Sequence, residues 1–361
     1  MTLICNDSKE CYDIFVPGRI CLFGEHSDWA GMFRTCNPEI ATGKCLIAGT
    51  DQGLFAKVYL HPDEVHWHCT FNHGESADLT ISVADLWKEA THPTSLFSYM
   101  AGVAYHIRQA YPHVGGIVIN NHTTTLPVKK GLSSSAAICV LTARAFSQCY
   151  HLQLTTRQEM EFAYQGETMT VSKCGRMDQG CAYGRPILME FNGDTVLVND
   201  TVSIGAPIYI ILVDLAASKN TPAILQELQQ AYPIPTTDIH QGIHQLLGPI
   251  NHTIMSQAIL ALKDGDAQRM GQLMTLAQDQ FDQFAIPASP NHLTSPVLHH
   301  VLTHYKLQPF IHGGKGVGSQ GDGSAQFVAK TKEDQQKAIS IIETELGMSC
   351  LSLTLGAIKN E

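Results

Sequence analysis

The chain has 361 residues, 44% of which are hydrophobic, and a formal net charge of −10 at pH 7. This length allows two domains with substantial cores, and no apolar run in the sequence is long enough to span a bilayer. The negative charge disfavours nucleic acid and anionic membranes as partners, because both carry the same sign of charge. We therefore expect a soluble protein that binds neither nucleic acid nor membranes.

The 11 cysteines are scattered, and no pair has the CxxC spacing of a zinc or redox site. The first residues, MTLICNDSKE, lack the basic segment and the apolar segment of a signal peptide. In a chain of this length without a secretion signal, we expect free thiols and a cytoplasmic location.

The first part of the chain has mainly strand patterns. Asp13 to Phe23 is rich in β-forming residues but contains Pro17-Gly18, which predicts two short strands around a bend. Turn residues at 51–53 likewise predict two strands within 45–59. Apolar residues at helical spacing predict a helix over 95–111. Further strands are expected at 64–71 and 115–120.

The rest of the chain is richer in helix patterns. Helices are expected over 135–150 and 156–168, followed by a hairpin over 187–198. We place the domain boundary after this hairpin, between an N-terminal domain at 1–203 and a C-terminal domain at 204–361. The C-terminal domain is expected to contain a strand at 204–213, helices at 220–232, 239–264 and 267–284, a loop at 287–296, a strand–loop–strand segment at 308–329 with the glycine-rich loop 313–323, a helix at 331–346 and a strand at 349–355.

The segment Leu126–Val140, LPVKKGLSSSAAICV, has the pattern of an anion-binding loop. Gly131 lets the backbone approach a ligand closely, and the serines at 133–135 supply hydroxyl groups at the start of an Ala-rich helix. Unsatisfied N–H groups and the positive end of the helix dipole favour a phosphate at such a position. The simpler alternative is an ordinary N-cap, since serine is a preferred capping residue.

Two further motifs accompany this loop, VPGRICLFGEHSDWAG at 16–31 and KCGRMDQGCAYG at 173–184. In this order and spacing, the three motifs resemble those of the GHMP kinases, a family that includes galactokinase, homoserine kinase, mevalonate kinase and phosphomevalonate kinase. The chain is most similar to galactokinase, with some features that resemble mevalonate kinase. The resemblance implies an α+β, two-domain GHMP kinase fold with the active site in the cleft between the domains.

The resemblance also implies which residues act in phosphoryl transfer from ATP. Asp178 matches the family's catalytic aspartate, and Arg19 is the cation that offsets developing charge. Ser135 and Glu167 match the positions that bind Mg²⁺, and their oxygens suit that ion. The alternatives are that Glu167 is an ordinary surface carboxylate and that Asp178 is a helix N-cap in a structural ion pair with Arg19. ATP is expected to bind at Lys129, Lys130, Gly131, Leu132, Ser133, Ser134 and Ser135.

A sugar-binding segment is implied at 25–28. Glu25, His26 and Asp28 offer acceptors for vicinal hydroxyl groups, although a polar turn is the simpler alternative. Arg19 and Asp28 favour a sugar, because mevalonate kinase has Lys in place of the Arg and lacks the Asp. The residues expected to bind substrate are Glu25, His26, Ser27, Asp28, Gly175 and Asp178.

Several residues depart from the galactokinase pattern. Lys129 and Lys130 stand where galactokinases have glycine and a small residue, Trp29 replaces a tyrosine, and the loop 313–323 carries Lys315. No tyrosine matches the one with which galactokinases contact their sugar from the second domain. These departures leave the identity of the acceptor open.

A second group of polar residues has the composition of a metal site. It comprises His61, His66, His68, Cys69 and His73. Their spacing fits no common zinc pattern, so a solvated strand edge is the simpler explanation.

Together the motifs predict an ATP- and Mg²⁺-dependent kinase that phosphorylates a monosaccharide or sugar derivative, at the anomeric hydroxyl as galactokinase does. One alternative is a GHMP kinase for mevalonate, another non-sugar alcohol or an amino acid. A second is a non-catalytic sensor of sugar and ATP, although sensors usually carry damage in the serine loop or the aspartate, and here both are intact. The oligomeric state stays open.

Overall fold

The computed structural model describes residues 10–127, 131–171 and 175–356. None of the helices in this part of the chain combines the length and the apolar composition that crossing a bilayer requires. The strands are β1 (Cys11–Phe23), β2 (Gly43–His61), β3 (Glu64–Thr70), β4 (Ser76–Ser82), β5 (Gly116–Thr124), β6 (Ile187–Asn192), β7 (Thr195–Asn199), β8 (Ile208–Asp214), β9 (Ile311–Gly316), β10 (Ser324–Ala329) and β11 (Ser349–Leu355).

The α-helices are α1 (Ser27–Met32), α2 (Leu86–Ala90), α3 (Ser98–Ala110), α4 (Ser134–Cys149), α5 (Thr156–Thr168), α6 (Thr221–Gln229), α7 (Asp238–Gln245), α8 (Asn251–Asp264), α9 (Ala267–Ala285), α10 (Pro290–Leu293), α11 (Pro296–Leu302) and α12 (Lys332–Glu345). Short 3₁₀ helices lie at Phe33–Thr35, Val83–Asp85, Asp178–Tyr183 and Ile286–Ala288.

The chain forms two compact units. The first comprises the described parts of Met1–Ile20 and Gly49–Arg185, and the second comprises Cys21–Ala48 and the described part of Pro186–Glu361. Strands β1 and β2 contribute residues to both units. The predicted domain boundary between residues 203 and 204 differs from this division and stays a prediction.

In the first unit the strands lie in the order β4-β3-β5-β2, and β1 pairs with β2. Strand β3 runs parallel to β5, with Val65 opposite Ile117, whereas β3–β4 and β2–β5 are antiparallel. Along β3, the buried residues Val65, Trp67 and Cys69 alternate with half-buried ones. This alternation is expected of a strand that lays one face on a core.

Helices α3 and α5 of the first unit are in backbone contact. A Cβ on Gly102 of α3 would lie 2.4 Å from the carbonyl oxygen of Gly166 in α5, and a Cβ on Gly166 would lie 2.5 Å from the backbone nitrogen of Val103. Only glycine fits at both positions. Helix α5 begins with a capping box made by Thr155 and Gln158, and the glycine contact fixes its C-terminal end, where Glu167 lies.

In the second unit, residues 43–47 of β2 pair antiparallel with β6, which pairs with β7. A separate antiparallel sheet has the order β11-β8-β10-β9. Its core includes Ile211, Phe327 and Ile342, the last of these from α12. The glycine-rich segment therefore belongs partly to a strand, because β9 ends at Gly316, and its loop connects β9 to β10.

The predicted bend at Pro17-Gly18 and the predicted turn at 51–53 are wrong, because β1 and β2 each run as one continuous strand. The glycines at these places allow close packing. A Cβ would lie 2.5 Å from the nearest atom at Gly18 and 2.4 Å from it at Gly53. Glycine inside a strand pattern marks a close approach in both strands.

Most other predicted elements are confirmed, among them α3, α5, the β6–β7 hairpin and β11. The helix predicted over 239–264 is interrupted, because Leu246–Ile250 separates α7 from α8. This segment contains Pro249 and a non-helical Gly248. Proline has no N–H group to continue the helical ladder, so the kink has an ordinary cause.

Replacing Gly102 with alanine is expected to destabilise the protein by about 1–3 kcal/mol, because the added methyl group overlaps a backbone oxygen that cannot rotate away. In a helix without this contact the same change would stabilise, since alanine has the higher helix propensity. Urea unfolding measures the difference, and the exposed Gln109→Ala of the same helix is the control. Equal or higher stability of Gly102→Ala would contradict the contact.

Candidate active site

The serine turn comprises residues 131–135, and α4 begins within it at Ser134. Ser133 has left-handed backbone angles, φ 58° and ψ 48°, and its side chain makes no capping hydrogen bond. Its hydroxyl donates instead to Oδ1 of Asp178 at 2.9 Å. Ser133 therefore occupies the N-cap position of α4 without capping it through its side chain, and the first N–H groups of α4 keep the orientation that suits an anion.

Arg19 joins the serine turn to Asp178. Its guanidinium pairs with Asp178 Oδ1, and its Nη1 donates to the carbonyl oxygen of Gly131 at 3.0 Å. Its backbone N–H donates to the carbonyl oxygen of Leu132 at 3.2 Å. Three distant sequence motifs thus meet at one carboxylate.

Asp178 is positioned as a partly accessible acceptor. It is the first residue of the 3₁₀ helix Asp178–Tyr183 and not its cap, so the capping alternative is wrong. Its side chain is 27% exposed, against 9% for the side chain of Arg19. Within the described residues, both contacts of the carboxylate end on Oδ1. Oδ2 is therefore the oxygen that can accept a proton from a ligand hydroxyl.

Glu167 lies near the end of α5 and is 0% exposed, so the explanation as a surface carboxylate is wrong. Its Oε2 accepts a hydrogen bond from the side-chain amide of Gln179 at 2.7 Å, and Gln179 is equally buried. Since Gln179 follows Asp178 in the chain, the predicted metal-binding carboxylate is bonded to the neighbour of the predicted catalytic aspartate.

The chemistry of Glu167 and Ser135 fits Mg²⁺. A carboxylate and a hydroxyl are oxygen donors, which this ion prefers, together with phosphate oxygens and water. Burying a carboxylate is unfavourable unless positive charge or hydrogen bonds offset it, so a cation beside Glu167 would be stabilising.

A cavity of about 330 Å³ opens beside the serine turn in the first unit. Its walls are mainly apolar and come from β2, β3, α3, β5 and α4. The lining residues are Leu54, Cys69, Thr70, Phe71, Leu96, Tyr99, Met100, Asn121, Thr124, Gly131, Ser133, Ser134, Ser135 and Ile138. A cavity with apolar walls and one polar edge is the usual form of a small-molecule site.

In the second unit, Glu25 forms a buried ion pair with Lys315. The exposed fractions of the two side chains are 6% and 2%. The ammonium group of Lys315 also donates to the carbonyl oxygen of Gly316 at 2.9 Å. The negative charge of Glu25 is therefore balanced by Lys315, which lies 290 residues further along the chain.

His26 is held in one tautomer. The indole N–H of Trp29 donates to its Nδ1 at 3.0 Å, so the proton of the neutral ring lies on Nε2, and the ring stacks on Phe281. The pKa of His26 is lowered from 6.5 to about 4, mainly because the ring is buried. A hydrogen bond with the backbone of Ser319 raises the pKa, and the positive charges of Lys219 and Lys315 lower it. His26 is therefore neutral at pH 7.

The other predicted substrate residues have different surroundings. Ser27 is fully buried and accepts a hydrogen bond from the side chain of Asn251 at 3.1 Å. Asp28 is half-buried in the first turn of α1, and Gly175 is half-buried before the 3₁₀ helix of Asp178. Substrate binding by residues 25–28 and Gly175 stays a prediction. The predicted nucleotide-binding residues Lys129 and Lys130 lie outside the described residues.

Hydrogen bonds account for the histidines that resemble a metal cluster. The backbone N–H of Glu64 donates to Nδ1 of His61 at 3.0 Å, which leaves the proton of the neutral ring on Nε2. That side of the ring faces the Glu64 carboxylate, which also contacts Nε2 of His66 at 3.1 Å. His68 contacts Asp78 at 2.8 Å. Strand β3 is an inner strand of its sheet, and His61, Glu64 and His66 lie close enough together to hold a metal ion. The solvated strand edge expected from the sequence therefore stays a prediction.

Sequence reasoning missed two partners in these sites. It treated Lys315 only as a departure in the glycine-rich loop, and the need for a partner of opposite charge appears only once the lysine is seen to be buried. It also missed the hydrogen bond from Gln179 to Glu167, for which the sequence offers no signal beyond the motif itself.

Breaking the Glu25–Lys315 pair is expected to be costly. Lys315→Met leaves a buried carboxylate unpaired, and we expect a loss of about 3–5 kcal/mol in the free energy of unfolding. The control is Lys44→Met, which breaks the Lys44–Glu190 pair of the same unit. The side chains of that pair are 29% and 31% exposed, and its loss should cost at most about 1 kcal/mol.

The double variant Glu25→Gln/Lys315→Met removes both charges. It should be clearly more stable than the sum of the two single changes predicts, because neither partner is left charged and buried. Additive losses in urea unfolding, or equal losses for Lys315→Met and Lys44→Met, would contradict the buried pair.

The buried neutral His26 predicts a pH dependence of stability. Its pKa is about 4 in the folded chain and about 6.5 in the unfolded chain. The unfolded state therefore binds more protons between these values, so stability falls as the pH falls through this window. At pH 5 the loss should be about 2 kcal/mol relative to pH 7.5. His26→Asn, which tolerates the left-handed backbone, should lose correspondingly less. Equal losses in both proteins would contradict the assignment.

A family model described as GHMP kinases N terminal domain matches residues 98–185, which contain the serine turn, Glu167 and Asp178. Among solved structures, the mevalonate kinase of L. major in complex with R-mevalonate is 18% identical, with a TM-score of 0.66 over 97% of this chain and 98% of that chain. The galactokinase of Lactococcus lactis complexed with galactose is 16% identical, with a TM-score of 0.69 over 96% and 94%. The homoserine kinase of Cytophaga hutchinsonii is 16% identical, with a TM-score of 0.65 over 98% and 97%.

At these identities the solved structures show a shared fold, and the shared fold extends over nearly the full length of each chain. They confirm the predicted α+β fold of the GHMP kinases. The chain therefore shares the fold of the GHMP kinases, and residues 98–185 also match the sequence model of their N-terminal domain.

Proposed function

We propose that the chain is an ATP- and Mg²⁺-dependent kinase that phosphorylates a monosaccharide or sugar derivative at its anomeric hydroxyl. The observation that carries this proposal is the contact of Asp178 with both Arg19 and Ser133, which brings a partly exposed carboxylate to the serine turn. The proposal includes a cytoplasmic location and no nucleic-acid or membrane partner.

In the proposed reaction, the acceptor hydroxyl attacks the γ-phosphorus of ATP as the bond to the ADP oxygen breaks. The hydroxyl proton passes to Asp178, whose Oδ1 is held by Arg19 and Ser133. The guanidinium of Arg19 offsets the negative charge that spreads over the transferring group. Each group acts by position and charge, as phosphoryl transfer requires.

The first unit offers a place for the nucleotide. We assign the phosphates to the serine turn, where the N-terminus of α4 supplies N–H groups and the positive end of its dipole. We assign the adenine base to the adjoining cavity of about 330 Å³. Ser135 and Glu167 would hold Mg²⁺, which offsets phosphate charge when bound.

For the acceptor, we assign recognition to Glu25, His26, Ser27 and Asp28. His26 is neutral and is held in place by Trp29 and Phe281, so it adds no charge to this segment. The Glu25–Lys315 pair means that Glu25 brings no unbalanced charge to this segment. Lys315 is one of the departures from the galactokinase pattern, and its pair with Glu25 favours an acceptor different from galactose.

The proposal is tested by ADP release from Mg-ATP with a panel of sugars, sugar acids and mevalonate. We expect release with at least one monosaccharide or sugar derivative, and phosphorus NMR of the product then identifies the phosphorylated hydroxyl. Release with mevalonate alone would replace the sugar by a non-sugar alcohol. Binding of ATP and sugar without ADP release would support the sensor.

Asp178→Asn should lower turnover by about 10²–10⁴-fold, because the amide cannot accept the hydroxyl proton. Binding of ATP, measured by calorimetry, should stay within a few-fold of wild type. The control is Asp13→Asn, which removes an exposed carboxylate paired with Lys57 on the strand that carries Arg19. A turnover of Asp178→Asn close to that of the control would remove Asp178 from the catalytic role.

A further inference from the structure

Arg144 of α4 makes an unusual set of contacts with its neighbours in the first unit. Its Nε and Nη2 donate to Oε2 of Glu159 at 3.0 and 2.8 Å. Nη1 donates to the carbonyl oxygen of Phe15 at 3.3 Å, and Nη2 also donates to the carbonyl oxygen of Ala182 at 2.8 Å. One guanidinium therefore contacts β1, α5 and the 3₁₀ helix Asp178–Tyr183, and it belongs to α4 itself.

Each of these four elements carries one of the predicted site residues. Arg19 lies on β1 beyond Phe15, and Glu167 lies on α5 two turns beyond Glu159. Asp178 begins the 3₁₀ helix that contains Ala182, and the serine turn begins the helix that contains Arg144. Arg144 on α4 therefore joins the other three elements that carry the phosphoryl-transfer groups.

The geometry of the guanidinium suits this arrangement. Its donors lie in one plane at fixed angles, so satisfying three acceptors fixes their relative positions, which a flexible ammonium group cannot do. The side chain of Glu159 is 9% exposed and that of Arg144 is 20% exposed, so solvent competes little for these hydrogen bonds. Two of the acceptors are backbone oxygens, which move only with their elements.

We propose that Arg144 is a positioning residue for phosphoryl transfer. It does not line the cavity beside the serine turn, and it fixes the spacing between the serine turn, Arg19, Glu167 and Asp178. This inference rests on the proposed kinase function. A displacement of reacting groups by about 1 Å can lower a rate by about 100-fold, so loosening this spacing should lower turnover before it prevents folding or nucleotide binding.

The test compares Arg144→Met and Arg144→Lys with Arg157→Met. Arg157 is the matched control, because it also pairs with a glutamate of α5, Glu161, at 2.8 Å. Both side chains of that pair are more exposed than those of Arg144 and Glu159. We expect kcat of Arg144→Met to fall by about tenfold or more with a change in KM for ATP below about threefold. Arg144→Lys should recover much of the melting temperature but little of kcat. Arg157→Met should match wild type.

Hydrogen exchange of the same variants gives a readout that does not depend on activity. In Arg144→Met, exchange should rise together in β1, in the start of α5 and in the 3₁₀ helix Asp178–Tyr183, while α12 of the second unit stays protected as in wild type. If Arg144→Met fails to fold, Arg144→Lys carries the same comparison.

Three outcomes would overturn the inference. These are a kcat of either folded variant within twofold of wild type, a kcat that recovers in parallel with melting temperature in Arg144→Lys, and an exchange change confined to α5. If wild type releases no ADP with any acceptor, the proposed function fails, and the exchange pattern alone then decides whether Arg144 fixes the spacing of these elements.

Discussion

The ion pair between Arg19 and Asp178 is the interaction on which the candidate site depends. A carboxylate at the start of a short 3₁₀ helix is held by a guanidinium that is itself bonded to the serine turn. Arg19 and Asp178 are 159 residues apart in the chain. They meet because the first part of β1, α4 and the 3₁₀ helix belong to one compact unit. Without the ion pair, the hydrogen bond from Ser133 would be left to hold the aspartate at the serine turn.

The local structure of the chain was largely predictable. Helices such as α5 and α12 follow from apolar residues at helical spacing between clear caps, and the β6–β7 hairpin follows from its turn residues. The errors came from glycine. In a sequence, a glycine that forms a turn looks the same as a glycine that leaves room for a close neighbour. In β1 and β2 the glycines leave room for close neighbours, and the strands continue through them.

Only those residues of the candidate site that lie in a recognisable sequence motif could be predicted. Arg19, Asp178 and the serine turn were recognised because each lies in a short local pattern, and the structure brings these three together. The partners of Glu25 and Glu167 were not recognised, because Lys315 and Gln179 contact them through the tertiary fold. The contacts of Arg144 were harder still, since two of its acceptors are backbone oxygens that any residue type would supply.

The serine turn also shows a conflict between stability and chemistry at a single residue. Ser133 occupies a left-handed conformation that costs a non-glycine residue on the order of 1 kcal/mol. Glycine would relax the backbone there, and a programme of thermostabilisation guided by torsion angles would include this substitution. That choice would delete the hydroxyl that reaches Asp178. The chain retains a slightly strained peptide because the strain is inseparable from the oxygen that it presents.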